Sequence, residues 1–444
     1  MQTTAILEER KSSIHSKDSC HGDGIRCEKA SVSGSVSQRA CVYCGARVVL
    51  NPITDAFHIV HGPIGCASYT WDIRGSLSSG SDLYRNSFST DLRETDIVFG
   101  GAKKLEAAVA EVAEKYAPKL IFIYATCIVG VIGDDVEAVC REAEKKYSIR
   151  VIPVKAPGFS GTKSLGYKMA CNALMELITP HVSQPKQMGV NILGDFNLSG
   201  EMWIIKDYLK RMGINVISTI TGDASYDTLI QASSAELNLV QCAGSMVYLA
   251  NRMEEEMGIP FIKVSFFGID DTSDSLVRIA KAIGDIECIK KTESFTSEES
   301  IRLRTFLDPY RNRFIGKKAA IYVGGGFKAI SLIRQFNEMR IETVVVGTQT
   351  GKPEDYEIIE SLVNPNTIIL DDTNPAELEM FMKEKHADIL VGGVKERPLA
   401  YKLGIAFCDH NHERKHALAG YVGVENFTKE INLSINSPVW DYIR

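Results

Sequence analysis

The segment LIFIYATCIVGVIGDDVEAVCREAEKKYSIRVIPV, residues 120–154, contains the pattern that decides the fold. Its apolar run at 120–125 predicts a buried strand, and a second β-rich run follows at 150–154. Between them we expect a loop at 126–133 and an amphipathic helix at 134–147, with acidic residues at the helix's positive amino end. Two strands that are joined by a helical crossover run parallel in one sheet.

The same alternation of strand, loop and helix recurs to the end of the sequence. It predicts an α/β fold of three doubly wound, parallel-sheet (Rossmann-like) domains around a shared cleft, with ligands beyond the carboxyl ends of the strands. The predicted divisions are a flexible N-terminal extension at 1–39, a first α/β domain at 40–183, a second at 184–314 and a third at 315–444.

Composition narrows the class of protein. The 444 residues are 45% hydrophobic and 24% charged, which is typical of a soluble α/β protein. A net charge of −6 argues against nucleic acid as the main partner. Eleven scattered cysteines do not resemble a secreted disulfide framework. The apolar run at 120–132 is too short to span a membrane, and residues 1–38 lack the apolar core of a signal peptide. We therefore expect a cytoplasmic protein that binds metal.

Four cysteines in the first third of the sequence are the strongest candidates for metal ligands. Cys41, Cys44 and Cys66 lie in ACVYCGARVVLNPITDAFHIVHGPIGCASYTWDIRG, and Cys127 follows the strand at 120–125. Thiolates that converge from separate loops are the ligands an iron–sulfur cluster requires. Each could instead be a small buried hydrophobic residue, which is the usual fate of a free cysteine. In the N-terminal extension, Cys20 and Cys27 match no zinc-binding pattern and are predicted not to be ligands.

Cys242 and a triple glycine are two further candidates. Cys242, in NLVQCAGSM, reads on its own as a structural cysteine, although its small neighbours would leave room for a bulky cluster. The glycines at 324–326 lack the GxGxxG spacing of a dinucleotide loop. They favour a turn whose backbone amides approach an anionic guest, with Lys328 supplying positive charge.

The segment CDHNHERKH at 408–416 is the densest polar cluster in the sequence. His410 and His412 alternate and would face opposite sides of an extended chain, so we do not expect both to bind one metal. The competing interpretation is that the segment at 408–416 is a solvated surface loop. Lys395 and Arg397 follow a predicted strand and could bind a carboxylate, or could be ordinary surface residues.

Taken together, these motifs resemble the nitrogenase component 1 superfamily, and within it the scaffold subunits that assemble the iron–molybdenum cofactor. The resemblance runs from about residue 27 to the C-terminus. The motifs are ACVYCGA (40–46), HIVHGPIGC (58–66), WDIRG (71–75), TCIVGVIGDDV (126–136), GFSGTKSLG (158–166), GDFNLSGEMW (194–203), NLVQC (238–242) and FCDHNHERK (407–415).

The resemblance implies two clusters. Cys41, Cys66 and Cys127 match the family's ligands to a [4Fe-4S] cluster at the interface with a NifN-like β subunit, which gives the fourth ligand in an α₂β₂ heterotetramer. Cys44 has no counterpart and is expected to be structural. Cys242 matches the cysteine that anchors an iron–sulfur–carbide precursor.

The resemblance also implies an assembly sequence. The precursor comes from the donor NifB, and molybdenum and homocitrate are added transiently with the nitrogenase Fe protein. The finished cofactor then passes to apo-nitrogenase. In this interpretation the chain is mainly a scaffold; the alternative is the catalytic α subunit of a nitrogenase-like reductase.

Individual residues distinguish these two interpretations. Where catalytic α subunits have glutamine and histidine, this chain has Lys163 and Tyr167, and Lys163 agrees with the scaffold pattern. Asn411 aligns with the histidine that ligates molybdenum in catalytic subunits, although His410 is adjacent. Lys395 matches a lysine that contacts homocitrate. A site that binds the precursor only transiently should hold it by one thiolate and by diffuse positive charge. Cys242 would give the thiolate, and Lys328 contributes to the positive charge.

Overall fold

The computed structural model describes residues 6, 8–16, 40–71, 77–78, 86–179, 185–241, 243–411 and 414–443. The strands are β1 Ile14–Ser16, β2 Ala56–His61, β3 Ser87–Ser89, β4 Leu120–Ala125, β5 Arg150–Lys155, β6 Val190–Leu193, β7 Val216–Ile220, β8 Leu237–Val240, β9 Phe261–Lys263, β10 Lys318–Val323, β11 Glu342–Thr348, β12 Ile368–Asp371, β13 Ile389–Gly392 and β14 Ala406–Asp409.

The helices are α1 Val42–Leu50, α2 Ile64–Trp71, α3 Glu94–Phe99, α4 Ala102–Tyr116, α5 Cys127–Ile132, α6 Val136–Tyr147, α7 Lys163–Ile178, α8 Glu201–Arg211, α9 Tyr226–Leu229, α10 Ala243–Met257, α11 Ile269–Ile283, α12 Ile286–Arg313, α13 Gly326–Met339, α14 Pro353–Leu362, α15 Pro375–Glu384, α16 Arg397–Lys402, α17 Gly420–Ile435 and α18 Trp440–Ile443. Across the described residues, none of these helices is both long and apolar enough to cross a membrane.

The described strands form three sheets, and the predicted α/β class with parallel sheets is confirmed. The sheet orders are β3-β2-β4-β5, β7-β6-β8-β9 and β1-β12-β11-β10-β13-β14. All the pairings are parallel except that of β1 with β12. Helices separate successive strands because parallel neighbours need crossovers.

Strand β4 shows why the first sheet must be covered on both faces. Every residue of this strand is buried. Phe122 and Tyr124 belong to the hydrophobic cluster on one face, whereas Ile121 and Ile123 belong to the cluster on the other. Alternate side chains of a strand point to opposite faces, so a continuous apolar run requires helices on both sides.

The chain divides into two compact units, one formed by residues 40–263 and the other by residues 1–39 with 264–444. The first unit contains the two four-stranded sheets, and the second contains the six-stranded sheet together with α11 and α12. Within the second unit, the Glu338 carboxylate on α13 accepts the backbone N–H of Ile269 at 2.9 Å, which ties α11 to α13. The domain divisions predicted at 183/184 and 314/315 stay predictions.

The described part of the N-terminal extension differs from the flexible arm that its polar composition predicts. Residues 8–13 form a 3₁₀ helix, and β1 adds an antiparallel edge strand to β12. Arg10 is buried, and its Nε lies 3.1 Å from a carboxylate oxygen of Glu377. Its Nη2 donates to the carbonyl of Asp371 at 2.8 Å. A buried ion pair and strand pairing offset the ordering entropy of residues 8–16, which composition alone does not reveal.

Candidate metal-cluster site

Three of the sequence-predicted cysteines lie at the amino ends of three helices. Cys41 is the residue that precedes α1, Cys66 is in the first turn of α2, and Cys127 is the first residue of α5. The helix at Cys127–Ile132 replaces the loop that the sequence predicts at 126–133. The partial positive charge at a helix amino end favours the thiolate form of a cysteine, which is the form that ligates metal.

Gly158 brings two of these thiols together. Its backbone N–H donates to Cys127 Sγ at 3.1 Å. A Cβ added at Gly158 would lie 3.0 Å from Cys127 Sγ and 3.2 Å from Cys41 Cβ, so a larger residue would crowd both cysteines. Burial raises the pKa of the Cys66 thiol, and the neighbouring thiols of Cys127 and Cys41 raise it further. All three cysteines are therefore close enough to interact electrostatically.

The exposure of these thiols separates them from most of the other cysteines. Cys41, Cys66 and Cys127 are half-buried, whereas Cys44 is buried within α1, as a structural residue would be. The other described cysteines, Cys140, Cys171, Cys288 and Cys408, are also buried. Cys20, Cys27 and Cys242 lie outside the described residues.

The three thiols of Cys41, Cys66 and Cys127 fit an iron–sulfur cluster better than a single metal ion. Among the residues described, no three His, Cys, Asp or Glu side chains are arranged to hold one metal ion. In an iron–sulfur cluster, each thiolate binds a different iron, so the ligand atoms lie further apart than they do around a single metal ion. Three half-buried thiols, each at the amino end of a helix, match that requirement.

A buried polar network that the sequence did not reveal supports the loops at this site. His61 Nδ1 lies 3.0 Å from the Thr90 hydroxyl, and His61 Nε2 lies 3.1 Å from the Asp134 carboxylate. The Thr126 hydroxyl, next to Cys127, donates to the His61 carbonyl at 2.9 Å. Burial lowers the pKa of His61 even though Asp134 opposes the shift. The HGP and IGDD motifs thus act together to fix the segments that carry Cys66 and Cys127.

Two glycines set the position of Cys41 and Lys163 relative to each other. A Cβ at Gly45 would lie 2.1 Å from the Lys163 carbonyl oxygen, and a Cβ at Gly166 would lie 2.0 Å from the Val42 carbonyl oxygen. Helices α1 and α7 therefore cross with their backbones in contact. Cys41 also forms an isolated antiparallel bridge with the residue before Lys163.

Lys163 is half-buried beside aromatic side chains. Its Nζ lies 5.8 Å from the centroid of the Tyr167 ring. The Tyr167 hydroxyl, and to a lesser degree Cys44 and Tyr69, raise the pKa of Lys163 against the effect of burial. Lys163 is therefore a cation close to the helix that follows Cys41.

The residues before and after Cys242 are described, although Cys242 is not. The buried Gln241 donates from Nε2 to Asp195 at 3.0 Å, and the same carboxylate accepts the Asn197 backbone N–H at 2.7 Å. This network links the GDFNLSG loop to the end of β8. A Cβ at Gly244 would meet nothing within 4 Å, so there is open space beside the start of α10.

In the unit containing the six-stranded sheet, Lys328 and the loop after β14 come together. Lys328 Nζ donates to the His410 carbonyl at 3.0 Å. The His410 ring is fully buried, with the rings of Phe267 and Phe427 at centroid distances of 5.2 and 5.5 Å. Burial, and then the charges of Lys328 and Arg414, hold the pKa of His410 well below its usual value. Among the described residues, neither ring nitrogen of His410 has a hydrogen-bond partner.

Asn411 and Lys395 are more accessible than His410. Asn411 is half-buried, and a Cβ at Gly393 would lie 2.7 Å from its amide nitrogen. Lys395 is exposed, and the next residue, Glu396, is buried. Glu396 accepts the Gly393 N–H at 2.8 Å, and burial raises its pKa to about 7. In the loop between β13 and α16, the Lys395 side chain is therefore exposed to solvent, whereas the side chain of the adjacent Glu396 is buried.

Comparison with known proteins defines the family. The sequence profile of the nitrogenase component 1 type oxidoreductases matches residues 41–436. The chain belongs to this family.

Within the family, the chain is similar to proteins named nitrogenase iron-molybdenum cofactor biosynthesis protein NifE. It is 65% identical over 442 residues to the NifE of Clostridium pasteurianum, an alignment that covers 99% of this chain and 97% of the relative. It is 50% identical over 450 residues to that of Methanosarcina barkeri, with 99% and 97% covered. A solved structure, nitrogenase Cp1 at pH 5, superimposes with a TM-score of 0.90 at 32% identity, covering 98% of this chain and 96% of that one. The predicted superfamily and fold class are confirmed.

Proposed function

We propose that this chain is a scaffold subunit on which the precursor of the nitrogenase iron–molybdenum cofactor is bound and matured before transfer to apo-nitrogenase. The observation that carries the proposal is the 65% identity, over 99% of the chain, to a relative named for biosynthesis of this cofactor. The identity to nitrogenase Cp1 is 32% over a similar share of the chain, although the folds superimpose closely. The higher sequence identity to the biosynthesis protein thus favours a role in cofactor assembly over a catalytic role.

For the resident cofactor, we assign Cys41, Cys66 and Cys127 to a [4Fe-4S] cluster shared with a NifN-like partner that gives the fourth ligand. When bound, such a cluster supplies one-electron redox chemistry. The chain's own part is to offer three thiolates and the Gly158 amide, which donates to Cys127 Sγ at 3.1 Å.

The surface near the three thiols supports a subunit interface there. Ile64 and Val131 lie near Cys66 and Cys127 in the sequence, Phe159 follows Gly158, and these three side chains are 58%, 72% and 65% exposed. A Cβ at Gly130 would lie 3.3 Å from the Phe159 ring, so Phe159 is adjacent to the helix that begins at Cys127. Exposed apolar side chains around half-buried ligands favour coverage by another subunit, as in an α₂β₂ heterotetramer.

For the cargo, we assign Cys242 as the covalent anchor of the iron–sulfur–carbide precursor. Lys163, Lys328 and Lys395 would supply positive charge to an anionic cargo, and Lys395 would contact homocitrate. Asn411 is a better candidate than His410 to meet the cargo, because Asn411 is half-buried whereas both ring nitrogens of His410 are enclosed. An amide binds metal weakly, which suits a cargo that must later leave.

The remaining partners follow from that assignment. The precursor would come from NifB, the nitrogenase Fe protein would act during insertion of molybdenum and homocitrate, and apo-nitrogenase would accept the product. The alternative, a catalytic α subunit of a nitrogenase-like reductase, is favoured by the TM-score of 0.90 to nitrogenase Cp1. Steady reductase turnover by the purified complex, without cofactor transfer, would support the alternative.

Iron analysis of the anaerobically purified complex tests the scaffold assignment. Cys242→Ala should keep the iron of the resident cluster and lose the iron that precursor loading adds. Cys288→Ala, at a buried cysteine in α12, is the matched control and should load normally. Unchanged loading of the Cys242 variant would refute the anchoring role.

A further inference from the structure

The buried residue Asp195 connects the ends of three neighbouring strands in the sheet β7-β6-β8-β9. It lies just beyond β6, and its Oδ2 accepts a side-chain N–H of Gln241, the residue after β8, at 3.0 Å. Its carbonyl accepts the backbone N–H of Gly222, beyond β7, at 2.9 Å. A Cβ at Gly222 would lie 2.3 Å from the Phe196 carbonyl carbon, so the two loops pack backbone against backbone.

The contact with Asp195 decides which way the Gln241 amide faces. An ionised carboxylate only accepts hydrogen bonds, so the NH₂ end of the amide must face Asp195. Gln241 is buried, and among the described residues its Oε1 has no hydrogen-bond partner, so within this part of the chain Asp195 orients the amide. The Gln241 backbone N–H donates to the Leu193 carbonyl at 2.8 Å. Side chain and main chain are therefore both held immediately before Cys242.

The other oxygen of Asp195 begins a second series of hydrogen bonds. Oδ1 accepts the Asn197 backbone N–H at 2.7 Å. Asn197 is fully buried, and its φ of 48° is in the left-handed region, where asparagine is found more often than most residues. Its side-chain oxygen accepts the Met202 backbone N–H at 3.1 Å, in the first turn of α8. The loop between β6 and α8 is thus fixed by its own polar groups.

Asn197 also binds the described residues Leu77 and Ser78. Its carbonyl accepts the Leu77 backbone N–H at 2.7 Å, and its Nδ2 donates to Ser78 Oγ at 2.5 Å. These two residues follow shortly after α2, the helix that carries Cys66. The segment after a proposed cluster ligand is therefore joined to the end of β8 through the Asp195 carboxylate.

We propose that Asp195 is a positioning residue for cargo binding. It holds Gln241 immediately before the proposed anchor Cys242, and through Asn197 it joins the end of β8 to the segment that follows α2. The inference rests on the proposed function, because it takes Cys242 as the anchor. Groups that orient the surroundings of a metal ligand affect metal binding without touching the metal. Asp195 acts in this way on the cargo, through Gln241.

A role confined to loop stability predicts a different pattern of effects. The bond from Asn197 to Asp195 closes a turn within the loop, which aspartate commonly makes with the residue two positions on. The bond from Gln241 crosses from the end of β8 and is not part of that turn. Gln241→Met removes the crossing bond with an unbranched side chain of similar length and leaves the turn intact. Asp195→Ala removes both bonds.

The rate of iron uptake during precursor loading of the purified complex tests the proposal. Gln241→Met should lower the maximal rate about tenfold or more and leave the iron of the resident cluster unchanged. Asp195→Ala should load as slowly. The double variant should load no more slowly than either single variant, because both changes remove the same contact. Gln231→Met, at an exposed position of the same unit, is the matched control and should load normally.

A conservative variant separates positioning from the charge of Asp195. Asp195→Asn keeps an oxygen for the turn, and its NH₂ group can donate to a Gln241 amide that has turned end for end. It should therefore load at close to the parent rate. Loading as slow as that of Asp195→Ala would overturn the role of the crossing bond.

Hydrogen exchange of the cargo-free complex gives a readout that does not depend on loading. Asp195→Ala should speed exchange in peptides that contain Leu77 and in those that contain Gln241, whereas Gln231→Met should change neither. Unchanged exchange at Leu77 would overturn the link through Asn197. Urea unfolding shows whether each variant is folded.

Two loading results would overturn the positioning role: a parent rate in Gln241→Met, or equal slowing in Gln231→Met. Failure of this inference is distinguishable from failure of the proposed function. Normal loading of Cys242→Ala refutes the anchor itself. Normal loading of Gln241→Met together with lost loading in Cys242→Ala refutes only the role of Asp195.

Discussion

His61 Nε2 and Asp134 Oδ2 lie 3.1 Å apart in the buried base of the cysteine site, although 73 residues separate them in the sequence. The same carboxylate accepts the Gly101 backbone N–H at 3.0 Å. One aspartate thus joins the turn before α2, the segment before α4 and the segment between α5 and α6. Both helices that carry Cys66 and Cys127 depend on it.

Asp134→Ala is therefore expected to destabilise the chain by about 2–4 kcal/mol, because it removes the Asp134 carboxylate from the buried His61 Nε2 and from the Gly101 backbone N–H. Urea unfolding measures the loss. Glu142→Gln, at an exposed position on α6, is the control and should stay within about 0.5 kcal/mol of the parent. Equal stability of the Asp134 variant and the parent would show that the network contributes nothing.

Gly158→Ala is expected to lower the cluster content while the chain remains folded. The added Cβ would lie 3.0 Å from Cys127 Sγ and would displace this thiol slightly from its position. Iron content and visible absorbance under anaerobic conditions are the measurements. Gly65→Ala is the matched control, since it lies beside Cys66 in α2 and its Cβ would meet nothing within 4 Å. Full iron content in the Gly158 variant would contradict the proposed ligand arrangement.

Arg10→Ala is expected to cost about 3–5 kcal/mol, because it leaves the buried Glu377 carboxylate without its partner. The Thr373 hydroxyl would still donate to Glu377 at 2.8 Å, which moderates the loss. Thermal unfolding is the measurement, and Lys11→Ala at an exposed neighbouring position is the control. If the two variants melt alike, residues 8–16 do not depend on this ion pair.

Glu396→Gln should make the protein more stable at pH 8 and leave it unchanged near pH 5. The folded-state pKa of Glu396 is raised to about 7, above its ordinary value of 4.5, so the folded chain binds this proton more tightly than the unfolded chain does. The parent therefore gains stability as pH falls from about 7 towards 4.5, and loses that gain as pH rises through 7. The glutamine, which never ionises, should gain roughly 1–3 kcal/mol at pH 8.

Urea unfolding across this pH range provides the readout. The amide oxygen of glutamine can still accept the Gly393 N–H that Glu396 accepts at 2.8 Å, so the variant tests charge rather than the hydrogen bond. A constant stability difference between pH 5 and pH 8 would contradict the raised pKa.

Sequence patterns predicted the elements that depend on local periodicity. Strand β4 begins and ends where its apolar run does, because a strand buried on both faces needs an uninterrupted apolar segment. The sequence also placed Cys41, Cys66 and Cys127 on separate segments, with Cys66 after a His-Gly-Pro turn and Cys127 directly after a predicted strand. The parallel pairing of β2 with β4, which ends at His61 and Ala125, brings two of those segments to one sheet edge.

Sequence patterns did not predict two kinds of feature. One is very short helices, and the other is contacts between residues that are far apart in the sequence. The six residues of α5 are too few to show a helical period, and four of them are β-branched valine or isoleucine on either side of Gly130, so a loop was expected. The contacts of His61 with Asp134 and of Arg10 with Glu377 join residues 73 and 367 positions apart. Such pairs become neighbours only once the sheets have formed.

The most direct test of the scaffold assignment is the iron and acid-labile sulfide content of the chain purified without oxygen together with its partner subunit. The assignment predicts a coloured complex whose resident iron is lost when Cys41, Cys66 and Cys127 are together changed to alanine, and whose additional iron after precursor loading is lost in Cys242→Ala. A folded, correctly paired complex that is colourless and free of iron would contradict it.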